Sequence, residues 1–439
     1  MRFGGPIMRT SPLNPASASA SASASSQRGA ATLFVTIVLL LAVGLITLYT
    51  NRSAILEQRL SANEVRAKQA LEAANAGIEH ALAYLREGGK GYDHDGDGVA
   101  DTITSFSLTS TTGTNPRPSY YKAVFCSSAA FTPPVCPASH TGALACAGAT
   151  PTSPLQLVAI SCGWSDDDAS VQRVVQVMQT TPALAGPIST PLVTRGAANL
   201  LTGGASILNY FNDLTVWSGG SLLGQSNTGK TFIRDIATNS TANLTDPYRA
   251  TGNSPACLNP PAGYQCSTQG STLGHDTVGG DTNLASLSPA GFFQYFFGAT
   301  LAGYRDSTAG YVVDLTSTLT APDSTSLSSI SGMNNRTIWV EAVPGTPISL
   351  PGNIGTADKP VVLIINGDLN LSSNIEINGL VYVQGNITGN GSPTIYGALI
   401  GAGNATANGN LKLVYDPKVL GKAPTLGKAG KVQGSWRDW

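Results

Sequence analysis

The sequence predicts an α+β protein: a long N-terminal transmembrane and amphipathic helix packed on an antiparallel β-sheet, followed by a mainly-β C-terminal region with a β-solenoid. Three features carry that prediction. Residues 30–49 form an uncharged apolar run, residues 60–85 continue it with helical spacing, and the last third repeats every 18 residues. Composition agrees. Charged residues are 12% of the 439, against a usual ~25%, which excludes a coiled coil and a charge-rich disordered chain. The 49 Gly and 26 Pro residues imply many turns. A net charge of −1 gives no field to hold a polyphosphate backbone, so no nucleic acid partner is expected. The length exceeds the ~250–300 residues at which single cores stop growing, so several domains are expected.

Ala30 to Tyr49 reads AATLFVTIVLLLAVGLITLY. As a helix this rises about 30 Å and spans a bilayer's hydrocarbon core. Arg2, Arg9 and Arg28 precede it without an acid, whereas the bases and acids of Asn51 to Glu87 balance. The asymmetry keeps residues 1–29 in the cytoplasm as a leader and exports the chain after Tyr49. A basic flank with an apolar run also describes a secretory signal peptide, although its apolar part is normally shorter and YTNRSA has no small-x-small cleavage site. Beyond the membrane, Leu71, Ala74, Ile78, Leu82 and Leu85 recur at steps of 3, 4, 4 and 3, one face of a helix. Gly88 and Gly89 stop it. Residues 30–87 are therefore read as one helix, apolar all round at first and amphipathic afterwards.

Residues 88–184 are expected to form a β-domain with strands at Tyr120 to Cys126, Leu155 to Cys162 and Ala169 to Gln179. It opens with an acidic loop in which Asp93, Asp95, Asp97 and Asp101 are spaced as D-x-D-x-D-G-x-x-D. Alternate carboxylates turned inward around Gly98 suit the hard cation Ca²⁺. The twelfth-position Glu of an EF-hand is replaced by Thr104, and the loop resembles those of dockerin or thrombospondin-type repeats. The acids Asp166, Asp167 and Asp168 are read as a hairpin turn. The six cysteines, Cys126, Cys136, Cys146, Cys162, Cys257 and Cys266, are an even number in an exported segment, so disulfides are expected, with fifteen possible connectivities. Proximity favours Cys257 with Cys266, and adjacent strands favour Cys126 with Cys162, leaving Cys136 with Cys146.

Residues 185–334 read as irregular β-structure and loops. Within them, Gly224 to Thr231 (GQSNTGKT) matches the P-loop pattern literally. A working P-loop needs a buried strand before it and a helix after it, whereas both flanks look β-like, so a chance match is expected. No nucleophile elbow, zincin motif or triad is present, and the chain is read as no enzyme. Residues 335–416 hold the repeat: rows 361–378, 379–396 and 397–414 align without gaps, with Gly367, Gly385 and Gly403 at corners. Fixed-period strands with amide or glycine corners fit a β-solenoid, its sides free to meet a surface or protein ligand. Residues 417–439 form a basic and aromatic tail that docks through its aromatics or serves as a recognition tag.

Gln27-Arg28-Gly29 before the apolar run resembles a prepilin leader, and NRSAILEQRLSANEVRAKQALEAANAGIEHALAYL resembles the N-terminal region of PilX-type minor pilins of type IV pili, relatives of the K-type pseudopilin of type II secretion. The resemblance covers residues 27–87 strongly and extends weakly to about Gln179. It implies cleavage between Gly29 and Ala30 by prepilin peptidase and methylation of the new amine. It also implies a single-pass inner-membrane location with a periplasmic C-terminal part, and packing against other minor pilins and pilin subunits in a filament or its tip. Cys162 to Asp168 resembles a recurrent turn of these proteins. Phe34 stands at the fifth mature position, where major pilins carry a glutamate, and in pseudopilin relatives that absence goes with the filament tip. The competing reading is a membrane-anchored calcium-binding adhesin never built into a filament.

Overall fold

The computed structural model describes residues 28–86, 103–108, 118–127, 135–145, 156–199, 204–222, 229–235, 256–261, 263–269 and 272–438. They fall into two units, Met1–Val65 and Arg66–Trp439. Helix α1 (Arg28–Arg86) covers 59 residues without a proline to remove a backbone donor. The acidic residues Asp93, Asp95, Asp97 and Asp101 lie outside the described residues.

In the second unit the amphipathic part of α1 packs on an antiparallel sheet made of β1 (Ile103–Leu108), β2 (Ser119–Ser127), β3 (Gln156–Trp164) and β4 (Val171–Thr180). Ile78, Leu82 and Leu85 meet Ala123, Phe125, Ala159 and Val174 from one face of it. The opposite face buries Val158, Ile160 and Trp164, so the strands read as apolar runs rather than alternating ones.

The strand register corrects two of the disulfide pairings. Cys162 lies opposite Lys122, while Cys126 lies opposite Val158. Four residues at ~3.3 Å each separate Cys126 from the position facing Cys162, well beyond the ~7 Å over which Cα atoms can be bridged. Cys162 is instead bonded to Cys136, with their Cα atoms 5.7 Å apart, so Cys136 does not pair with Cys146. Cys126 is also disulfide-bonded, and Cys146 lies outside the described residues. Cys257 is bonded to Cys266.

The remaining strands form two further sheets. Residues 185–334 supply β5 (Leu192–Thr194), β6 (Ala198–Asn199), β7 (Ser206–Asn209), β8 (Val216–Ser218), β9 (Lys230–Arg234), β10 (Tyr264–Gln269), β11 (Thr277–Val278) and β12 (Tyr311–Asp314). The repeats supply β13 (Thr337–Glu341), β14 (Ile348–Ser349), β15 (Val361–Asn366), β16 (Leu369–Leu371), β17 (Glu376–Val383), β18 (Ile387–Gly389), β19 (Thr394–Gly401), β20 (Ala405–Ala407) and β21 (Lys412–Val414). One sheet runs β10-β9-β7-β21-β19-β17-β15-β13-β12, with β5, β8 and β11 branching from β19; the other runs β14-β16-β18-β20-β6. Apart from β9–β10, every ladder in them is parallel.

The partners are offset by one repeat. Leu363 faces Val381 and then Leu399, Leu369 faces Ile387 and then Ala405, and Ile377 faces Ile395 and then Leu413. The stack continues into residues from earlier in the chain, with Leu399 facing Leu192 and Ala405 facing Ala198. Leu363, Ile365, Val381 and Leu399 fill the interior between the sheets. Gly379 and Gly397 have φ of 154° and 136°, and a Cβ at either would overlap the carbonyl oxygen of the preceding rung. At one corner an amide ladder links the rungs: Asn386 N–H donates to Asp368 Oδ1 (2.7 Å), Asn404 N–H to Asn386 Oδ1 (3.0 Å) and Ala197 N–H to Asn404 Oδ1 (2.8 Å).

The other face of the large sheet is covered by helices α2 (Thr282–Ser286), α3 (Pro289–Phe297) and α4 (Leu301–Ser307), and by α5 (Pro417–Lys422). Phe292, Phe293, Phe296 and Phe297 on α3 pack with Trp339 and Tyr382. Proline at the first turn and the Ser288 hydroxyl accepting from Gly291 N–H fix where α3 starts. After α5 the chain returns to the first sheet, where β22 (Ala429–Lys431) and β23 (Arg437–Asp438) pair antiparallel with β4. Lys431 there pairs with Glu79 of α1, and Trp436 Nε1 donates to Asn75 Oδ1 at 3.3 Å.

Candidate functional site

The part of α1 before Arg66 presents apolar side chains in every direction. Thirteen large ones between Leu33 and Tyr49 are exposed, Phe34 at 70% among them. Each left in water forgoes about 1.5–3 kcal/mol relative to burial, so the segment needs an apolar surrounding. Three of its threonine hydroxyls are already paired. Thr36 donates to Leu33 O (2.8 Å), Thr47 to Val43 O (2.9 Å) and Thr50 to Ile46 O (3.0 Å), which lets these three sit in hydrocarbon without water. Gly29 and Ala30 lie in the first turn of this helix.

From Ala70 onward the same helix meets the sheet through small residues. Ala70, Ala73, Gly77 and Ala81 are buried beside the expected Ala74, Ile78, Leu82 and Leu85, whereas Leu71 is only half-buried. The backbones touch: a Cβ on Gly163 of β3 would overlap Ala70 O and Ala74 N, and one on Gly77 would overlap the Ser161 hydroxyl. The Tyr121 hydroxyl lies 3.2 Å from His80 Nδ1, and burial pushes the phenol's pKa up. Tyr84 stacks on Phe125 with ring centres 6.0 Å apart. Ala70, Ala73, Gly77 and Ala81 were not anticipated; together with Ala74 they give a flat surface a strand can approach.

The three acids after Trp164 form a turn, with Asp168 at φ 56°. Arg66 of α1 pairs with Asp167 at 2.7 Å. The Ser165 hydroxyl, the Ala169 N–H and Arg66 hold the Asp167 carboxyl below its usual range. Burial acts to raise the Asp168 carboxyl, but hydrogen bonds from His140 and from the Ser139 hydroxyl outweigh it and lower the pKa. The His140 ring lies flat on Tyr120, 3.8 Å between centres. Together with the Cys136–Cys162 bond and Trp164 Nε1 donating to Pro137 O at 2.9 Å, these contacts strap residues 136–144 over the sheet.

Among the described residues no group of three or more His, Cys, Asp or Glu side chains is arranged to hold a metal. Residues 224–228 of the P-loop match lie outside the described residues, and the rest of it does not continue as a P-loop would. Lys230 and Thr231 open strand β9 instead of a helix, and the Thr231 hydroxyl accepts from Thr268 N–H at 2.9 Å inside the sheet.

The family model for the PilX N-terminal region matches residues 28–79. The crystal structure of the competence-associated pilin ComZ from Thermus thermophilus is similar at 12% identity and a TM-score of 0.26, with 85% of this chain and 98% of that chain covered. No curated protein matches the chain. Residues 28–79 thus resemble the PilX N-terminal region of type IV minor pilins, and they lie on a helix long and apolar enough to cross a membrane.

Proposed function

We propose that the chain is a minor pilin that takes part in type IV pilus assembly, in a tip or priming complex. The observation that carries this reading is the continuity of α1. One unbroken helix passes from an exposed apolar segment into a sheet-packed segment, and the PilX match spans both parts. Prepilin peptidase cuts between Gly29 and Ala30, and the apolar segment waits in the inner membrane until it packs against other pilin helices. The periplasmic remainder travels with it. Phe34 brings no buried carboxylate, which would cost about 2.5–3.5 kcal/mol in the bilayer unless paired, so the subunit suits a position that makes no such pairing.

The 18-residue ladders and the Asp368–Asn386–Asn404 corner support reading residues 335–416, extended by strands from 185–334, as a β-solenoid carried by the pilin domain. Asp93, Asp95, Asp97 and Asp101 form its Ca²⁺ loop, and Asp95→Ala with Asp97→Ala abolishes any Ca²⁺-dependent rise in melting temperature. The test of the main reading is the N-terminus of the mature protein with the composition of purified pili. A methylated Ala30 and co-purification with pili are expected. An intact residue 1–29 segment, together with unchanged piliation on deletion, would overturn it in favour of an anchored adhesin.

A further inference from the structure

A cavity of 270 Å³ opens beside β8, between the segment before β5 and helix α3. Its volume lies just under the ~300–1,000 Å³ of pockets for drug-sized ligands, which leaves room for one small ring and not for an extended chain. None of the ten residues that line it carries a charge, so nothing in its walls selects an ion.

Two aromatic rings wall it. Trp217 is half-buried, and its orientation is fixed by Nε1 donating to Asp281 Oδ2 at 2.8 Å. That carboxylate is itself held by the N–H groups of Asn283 and Leu284. Tyr295 is 58% exposed, with its ring set edge-on against Phe296 at 4.9 Å between centres. Buried apolar residues elsewhere in this region fill the core, but these two rings face an opening. Gly186 at the rim has open space where a side chain would stand.

The polar group of the cavity is unspent. Thr190 is 2% exposed and lines the cavity, and its hydroxyl makes no hydrogen bond among the described residues. A hydroxyl at a cavity wall that binds nothing inside the protein is available to whatever enters. Ser189 beside it keeps its hydroxyl too, since Asn212 Nδ2 binds only the Ser189 carbonyl (2.8 Å).

We propose that this cavity binds one neutral pyranose ring of a glycan. The C–H face of a sugar ring is weakly positive and packs on the negative face of an aromatic ring, which Trp217 and Tyr295 provide. The hydroxyls around the ring need donors and acceptors, which Thr190 and Ser189 provide. Absence of charge favours a neutral sugar over a uronate, a sulfated sugar or a phosphate. The inference rests on the geometry of this cavity alone and not on entry into a filament.

The experiment is ligand-observed NMR on the full chain, held in a zwitterionic detergent without a sugar headgroup and titrated with glucose, galactose, mannose and N-acetylglucosamine. At least one should bind saturably. Tyr295→Ala should weaken that binding about tenfold with an unchanged melting temperature, and Thr190→Val should weaken it as well. Glucuronate should bind less tightly than glucose. Lack of saturable binding by all four sugars overturns the proposal, as does wild-type affinity in Tyr295→Ala or tighter binding of glucuronate. If Thr190→Val lowers the melting temperature, Tyr295→Ala, which changes an exposed side chain, decides alone.

Discussion

At Gly163 a hydrogen atom stands where a methyl group would strike the backbone of α1. Gly163→Ala should therefore force helix and sheet apart and cost about 1–3 kcal/mol, the usual penalty of overpacking, read as a lower midpoint in urea unfolding. Asp168 tests the turn by pH. Its carboxyl is more acidic in the folded protein than in the unfolded chain, so its contribution is complete above the ordinary Asp value near ~3.9 and is lost as pH falls through the lower, folded value. Asp168→Asn should flatten the acid side of the melting temperature plotted against pH below the ordinary Asp value of ~3.9. An unaltered acid limb would remove Asp168 from the account. The large residues of the helix–sheet contact were legible in sequence because Ile78, Leu82 and Leu85 keep helical spacing. Ala70, Ala73 and Gly163 were not, because small residues carry no periodic signal and their role is to let two backbones meet. Cys257 with Cys266 was legible from proximity, but the partner of Cys162 was not: it depends on which residue of β2 faces Cys162, and register is not written in the spacing of cysteines.

Between elements, the Cys136–Cys162 bond closes a segment with a sequence separation of 26. Losing it should cost about 3.5 kcal/mol by the chain-entropy estimate for a loop of that length. In Cys136→Ser, thermal unfolding should move down accordingly, and the His140–Tyr120 stack should loosen, seen as faster proteolysis in residues 136–144. Equal melting of the two proteins would show that the strap contributes nothing. The repeat was readable from Gly367, Gly385 and Gly403 because glycine and amide corners recur in sequence as they do in space. The strands of residues 185–334 were not, since β6, β8 and β11 have two or three residues each, too few to show an alternation. They are set in place by neighbours already stacked, as when Leu192 faces Leu399, and such long-range pairing leaves no local signature.

Across the whole molecule, the first sheet is completed by the end of the chain: β22 and β23 both pair with β4, and Gln176 Nε2 donates to Val432 O at 2.9 Å. A chain ending at Lys428 should lose these strands and leave β4 as an open edge, a template for pairing with other chains. Soluble aggregates in size-exclusion chromatography are the expected readout, and a monodisperse truncated protein would show that the tail is dispensable. The same arrangement sets an order in time. The β-domain nearest the helix is encoded first, yet its outermost partners, β22 and β23, are made only after more than two hundred intervening residues that form the parallel sheets. A polypeptide stopped before Ala429 would thus have a finished helix on an unfinished sheet, with β4 waiting for partners that never arrive.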